Sequence, residues 1–175
     1  MKTVCAAICA AALLAGAVQA QPKERLVELD LLDLLRSPAI RQGLAVSLQT
    51  ETPGQRVVSE LLVWSEVEGI RLYFGREDLP AGGHALGEAK GEGAAGQGAA
   101  VRASRGPCDA AFTQALRALV TEGKAKGANA IVAVRSDRPG FPFTSQRSVI
   151  CATPPPGDQG PARVSLRGRL VKAAL

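Results

Sequence analysis

Residues 108–134 read CDAAFTQALRALVTEGKAKGANAIVAV. Phe112, Leu116, Leu119 and Val120 recur at three- and four-residue steps with Ala111 and Ala115 between them. Gln114, Arg117 and Glu122 fall on the other side, which is the period of an amphipathic helix. Asp109 is the expected N-cap and Gly127 the expected stop. The apolar run from Ala130 to Val134 then reads as a strand buried on both faces.

Upstream, IRLYFG (70–75) sets Ile70, Leu72 and Phe74 against Arg71 and Tyr73, a strand with one face in the core. HALGEAK (84–90) reads as a short strand, and GEGAAGQGAAVRASRG (91–106) as a Gly/Ala-rich loop. Downstream, RSVICA (147–152) is the returning strand, expected to pair antiparallel with AIVAV. ARVSLRGRLVK (162–172) is a further strand with a bulge or kink at Gly168. Strand, crossover helix and strand together predict a βαβ-type core with a right-handed crossover. The expected fold class is α+β: a small mixed sheet with one main crossover helix packed on it, plus a short N-terminal helical segment.

That segment lies in LVELDLLDLLRSPAIRQGL (26–44), where Leu31, Leu34, Leu35, Ile40 and Leu44 form a helical stripe. Ser37-Pro38 interrupts it, so two pieces are expected, Leu29 to Arg36 and Pro38 to Gly43. Ala45 to Gln49 alternates as a strand does; Val57 to Trp64 is β-rich and reads either as its hairpin partner or, within SELLVWSEV, as a helical turn.

The first twenty residues, MKTVCAAICAAALLAGAVQA, join a basic start at Lys2 to an alanine-heavy apolar middle and a small-residue end. This is the pattern of a secretory signal peptide cut between Ala20 and Gln21. The apolar run is shorter than a membrane span, and no later stretch is long and apolar enough to be one. The domain reading is therefore a signal peptide at 1–20, a helical segment with a hairpin insertion at 21–68, and the core at 69–175. The expected location is periplasmic or secreted.

Loss of Lys2 lowers the formal charge from +5 to +4, with Lys and Arg scattered along the chain. One Trp, one Tyr and four Phe offer few stacking platforms, so nucleic acid is not an expected partner. Cleavage also removes Cys5 and Cys9, leaving Cys108 and Cys151 in an oxidising compartment, where pairing is the default. Two thiols and the single His84, in a turn-rich segment, fall short of a four-ligand metal site. Gly91, Gly93 and Gly96 have GxGxxG spacing but run on into further Gly/Ala-rich sequence, so no dinucleotide is expected. No GxxxxGK[ST] loop, GxSxG elbow or Ser/His/Asp set can be assembled. An enzyme is not expected, and neither a cofactor nor a resident metal.

GIRLYFG, LGEAK, CDAAF…GANAIVAV, VICA and VSLRGRLVK together resemble a family of small exported bacterial proteins often labelled excinuclease ATPase subunits. LLDLLRSPAIRQGL is similar to that family's N-terminal helix. The same core resembles YbjQ-like heavy-metal-binding domains and the domain of the Rcs envelope-stress sensor lipoprotein. That sensor carries two disulfides and a lipid anchor; only Cys108 and Cys151 match here, and the anchor is missing. The resemblance implies an exported domain that binds an envelope protein or cell-surface component. The alternative it implies is an oligomeric module binding a small ligand or metal ion. The loop carrying Phe141 and Phe143 is a candidate contact surface, or else plugs the end of the core.

Overall fold

The computed structural model describes residues 24–44, 46–49, 64–74, 82–96, 106–138 and 147–174. In chain order these form β1 (Arg25–Asp30), α1 (Leu31–Arg36), α2 (Pro38–Gly43), β2 (Val46–Gln49), β3 (Trp64–Val67), β4 (Ile70–Phe74) and β5 (His84–Ala95). They continue with α3 (Pro107–Ala125), β6 (Ala130–Ser136), β7 (Ser148–Thr153) and β8 (Ala162–Lys172).

The chain is mostly β, which corrects the expected α+β core of a small sheet with a crossover helix. Strand makes up 49% of the described residues, in a curled, mixed half-barrel sheet. Its order is β1-β7-β8-β6-β4-β3-β2, with β5 along the other edge of β8. The helix α3 connects β5 to β6, which lie on opposite edges of β8, so it spans a strand instead of joining two neighbours. Nor does β7 pair with β6. Both pair antiparallel with β8, β6 opposite Arg167–Val171 and Leu166, β7 opposite Val164 and Arg163. They therefore share one edge of β8, one after the other. Away from β8 they diverge, β6 towards β4 in parallel and β7 towards β1 antiparallel. The sheet forks where they part.

The helix expected from Leu29 starts at Leu31, because Leu26 and Leu29 extend the leucine stripe in sequence but belong to a strand. RLVELD is extended and pairs with β7, Val27 opposite Cys151. Asp30 ends it as the N-cap of α1, its Oδ1 accepting the Asp33 N–H at 2.9 Å. Leu31, Leu34, Leu35, Ile40 and Leu44 are buried in one cluster with the inward side chains of the sheet and of α3. In β4 the alternation reads as expected, Ile70, Leu72 and Phe74 being buried.

Phe112, Leu116 and Leu119 of α3 are fully buried, each removing apolar surface worth about 2–3 kcal/mol from water. The helix starts one turn earlier than Asp109 suggested. Gly106, at φ 76°, is the N-cap and Pro107 takes the first helical position, where its missing N–H costs nothing. Asp109 sits inside the first turn, buried, with an oxygen 3.4 Å from the Ser37 hydroxyl. At the other end Gly127, at φ 76°, donates to the Lys124 carbonyl and Ala128 to the Gly123 carbonyl, both at 2.9 Å. That is a Schellman stop, as the glycine predicted. Asn129 then clamps β8: its amide donates to the Ala173 carbonyl at 2.9 Å and accepts the Ala173 N–H at 2.8 Å.

Of the segment expected as a Gly/Ala-rich loop, 91–95 is strand, and 97–105 lie outside the described residues. Ala89, Gly91, Gly93 and Ala95 of β5 face α3, and all four are buried. A Cβ on Gly91 would lie 2.0 Å from the Ala115 carbonyl oxygen, and one on Gly93 1.9 Å from that of Ala111. Adding a bond of about 1.5 Å brings each glycine Cα within about 3.5 Å of a helix carbonyl, the range of a Cα–H···O contact. The helix backbone rests directly on the strand backbone. Its side chains also cover the outer edge of β5. Glu122 Oε2 accepts the Lys90 N–H at 2.9 Å and Gln114 Oε1 the Ala94 N–H at 3.3 Å. Eight helical residues rise about 12 Å and four strand residues about 13 Å, so the two caps stay in register. An exposed strand edge is thereby shielded from pairing with another chain.

Gly168 was expected at a bulge, and the extra residue lies across from it on β6. Pairing passes from Val132–Arg169 to Arg135–Arg167, with Ala133 at φ 53°. A Cβ on Gly168 would stand 2.5 Å from Ile131 Cγ2.

Candidate functional site

Two cysteines from distant parts of the chain meet under the helix. Cys108 in the first turn of α3 and Cys151 in β7 are joined, their Cα atoms 5.9 Å apart, and both are buried. The bond ties the start of α3 to the strand on the far side of the fork. It is structural: neither sulfur is accessible enough to meet a substrate. Ala20 and Gln21, and the loop with Phe141 and Phe143, lie outside the described residues. His84 opens β5 opposite Lys172 and is exposed, at the end of the β5–β8 pair away from the fork.

Chemistry gathers instead on the sheet face opposite α3. Alternation on β8 turns Val164, Leu166 and Leu170 inward and leaves Arg163, Ser165, Arg167 and Arg169 on the outer face. Opposite them on β5 stand Ala94, Glu92, Lys90 and Glu88 in turn. Lys90, Arg167 and Arg135 thus lie side by side across three strands, a like-charge row that costs stability unless screened. Asp137, just past β6, supplies the screen. Its carboxylate meets Lys90 Nζ at 2.8 Å and Arg167 Nε at 3.5 Å, and it is only 17% exposed. Glu88 stands 4.0 Å from Arg167.

Where β6 and β7 part, an open cleft of about 560 Å³ lies between the fork and the β5–β8 pair. Ile150 gives it an apolar part; Glu92, Arg163, Ser136 and Ser165 give it polar groups. Glu24, ahead of β1, is ion-paired with Arg138 across one end. Ser136, 5% exposed, accepts the Ile150 N–H at 2.9 Å, bridging the two diverging strands. No histidine or cysteine is among the lining residues. The arrangement can bind: it offers donors and acceptors of both signs around an apolar patch, in a volume of small-ligand size.

None of these cleft residues stood out in the sequence. Each is an ordinary polar residue, and they come together only through the pairing register of β5, β6 and β8. Alternation in ARVSLRG was a usable signal, since it puts Arg163, Ser165 and Arg167 on one face.

Among the described residues no group of three or more His, Cys, Asp or Glu is placed to hold a metal ion. Among them, too, no helix is long and apolar enough to cross a membrane. Comparison of the chain with family models, with curated proteins and with solved structures finds no match.

Proposed function

We propose that the mature chain is an exported, non-enzymatic periplasmic domain that binds an envelope protein or cell-surface component through the cleft at the sheet fork. The observation that carries this reading is the cleft itself, about 560 Å³ and lined by both charge signs beside Ile150. Binding pockets of that size with a few polar groups on an apolar wall are the common form of a recognition site. Export is supported by the leader-like residues 1–20, with cutting between Ala20 and Gln21, and by a disulfide suited to an oxidising compartment. Membership in the small exported family that the sequence resembles belongs to the same proposal.

A photocrosslinking side chain placed at Ala94, which lines the cleft, tests it in intact cells. Ala118, exposed on the solvent side of α3, is the control position. The expected result is a discrete crosslinked species from position 94 and none from position 118. Identical products from both positions, or none from either, would refute the reading.

A further inference from the structure

The charges around the cleft are mostly committed to one another. Arg138 is paired with Glu24, and Lys90 and Arg167 converge on Asp137. Two groups are left over. Arg163 is 63% exposed, and its one ion pair among the described residues is a 3.9 Å approach to Glu24. Glu92, exposed on the neighbouring strand, has no ion pair among the described residues. No ion pair joins them among the described residues, although the register sets Ala94 opposite Arg163 and Ser165 opposite Glu92. That makes them diagonal neighbours, roughly 7–8 Å apart at their backbones. Between them the Ser165 hydroxyl makes no hydrogen bond among the described residues. The cleft therefore presents a loosely held guanidinium, a carboxylate with no ion pair among the described residues and a hydroxyl, with Ile150 alongside.

We infer that the cleft recognises a zwitterionic peptide group, its carboxylate held by Arg163 and Ser165 and its ammonium by Glu92. This rests on the binding reading above and names the ligand class. The spacing suits the assignment: an extended dipeptide spans at most about 7 Å end to end, close to the diagonal separation. A simple anion would meet repulsion from Glu92, and a simple cation from Arg163. Only a ligand with both signs satisfies the pair. An arginine fork also grips a carboxylate through two parallel N–H bonds, which gives direction as well as attraction.

Titration of the oxidised full chain with alanyl-alanine, followed by backbone amide NMR, tests this. The expected result is shifts centred on Glu92, Arg163 and Ser165, and affinity at least about tenfold weaker for the N-acetylated and for the C-amidated dipeptide. Glu92→Gln should abolish discrimination against the N-acetyl form alone, and Arg163→Gln discrimination against the amide alone. Both side chains are exposed, so both variants are expected to fold, which circular dichroism checks. Equal affinity for the three forms, or no shift at about 10 mM dipeptide, overturns the assignment. If crosslinks from position 94 persist in that case, only the ligand class has failed and the binding face stands.

Discussion

The two faces of the β5–β8 pair are made by the same strands and follow opposite rules. Under α3 the face is Ala89, Gly91, Gly93 and Ala95 against Val164, Leu166 and Leu170, small beside large, so that a helix backbone can rest on a strand backbone. On the outer face Glu88, Lys90 and Glu92 stand beside Arg163, Ser165, Arg167 and Arg169, with Glu88 4.0 Å from Arg167. The inner face is fixed by volume, where a single methyl group decides, and the outer face by charge, where water absorbs most single changes. Stability belongs to the first and the proposed recognition to the second.

The sharpest way to break the comparison is to place equal changes on adjacent residues of β5. Gly91→Val would drive carbon into the Ala115 carbonyl and the Leu119 amide, both backbone, which cannot move aside. A loss of at least about 4 kcal/mol, or failure to fold, is expected by thermal or urea unfolding. Glu92→Val, one residue along and facing out, should stay within about 0.5 kcal/mol on the same measurement. Equal effects at the two positions would show that the faces are not divided as described.

The disulfide comes next. Replacing Cys108 and Cys151 together by Ala releases a loop closed across 43 residues, for which chain entropy gives about 4 kcal/mol as an upper figure. The expected outcome is a loss of about 2–4 kcal/mol, with amide protection falling most in the first turns of α3 and in β7. The Asn129 clamp lies at the other end of the helix, so protection at Ala173 should fall least.

The smallest effect sharpens the boundary between the faces. Glu122 reaches from α3 around the edge of β5, and hydrogen bonding from Lys126 (2.7 Å), then from the Lys90 N–H, holds its carboxyl below the usual carboxylate range against a small opposing effect of burial. A carboxyl lowered in the folded state adds stability that is complete above its unfolded value, about 4.3, and is lost as pH falls through the folded value. The gap in unfolding midpoint between wild type and Glu122→Gln should therefore be open near about pH 6 and close towards about pH 3. Because the side chain is partly exposed, the gap should also shrink in salt.

What the sequence disclosed follows the same division. Ile70, Leu72 and Phe74, the stripe of α3 and the Gly127 stop were legible because local period and one positive-φ position determine them. GEGAA was read as loop because glycine is a poor strand former, and its reason for being there is a helix some twenty residues on. Asp109 has the composition of a cap, but Gly106-Pro107 carry the better signal, and burial near Ser37 accounts for the aspartate. The fold class was misjudged because strand, helix and strand in sequence say nothing of β8, which enters between the flanking strands from much later in the chain. The cleft was invisible for that reason too: Glu92 and Arg163 become neighbours only once that strand is inserted.

This insertion sets the timetable of assembly. β8 touches β5, β6 and β7, and it follows all three in the chain. A nascent polypeptide that has not yet emerged past Lys172 lacks the keystone that joins β5, β6 and β7, and it can hold only the pairings made without it: β2–β3–β4 with β6, and the β1–β7 ladder. Such a product stays loose until synthesis has passed that point.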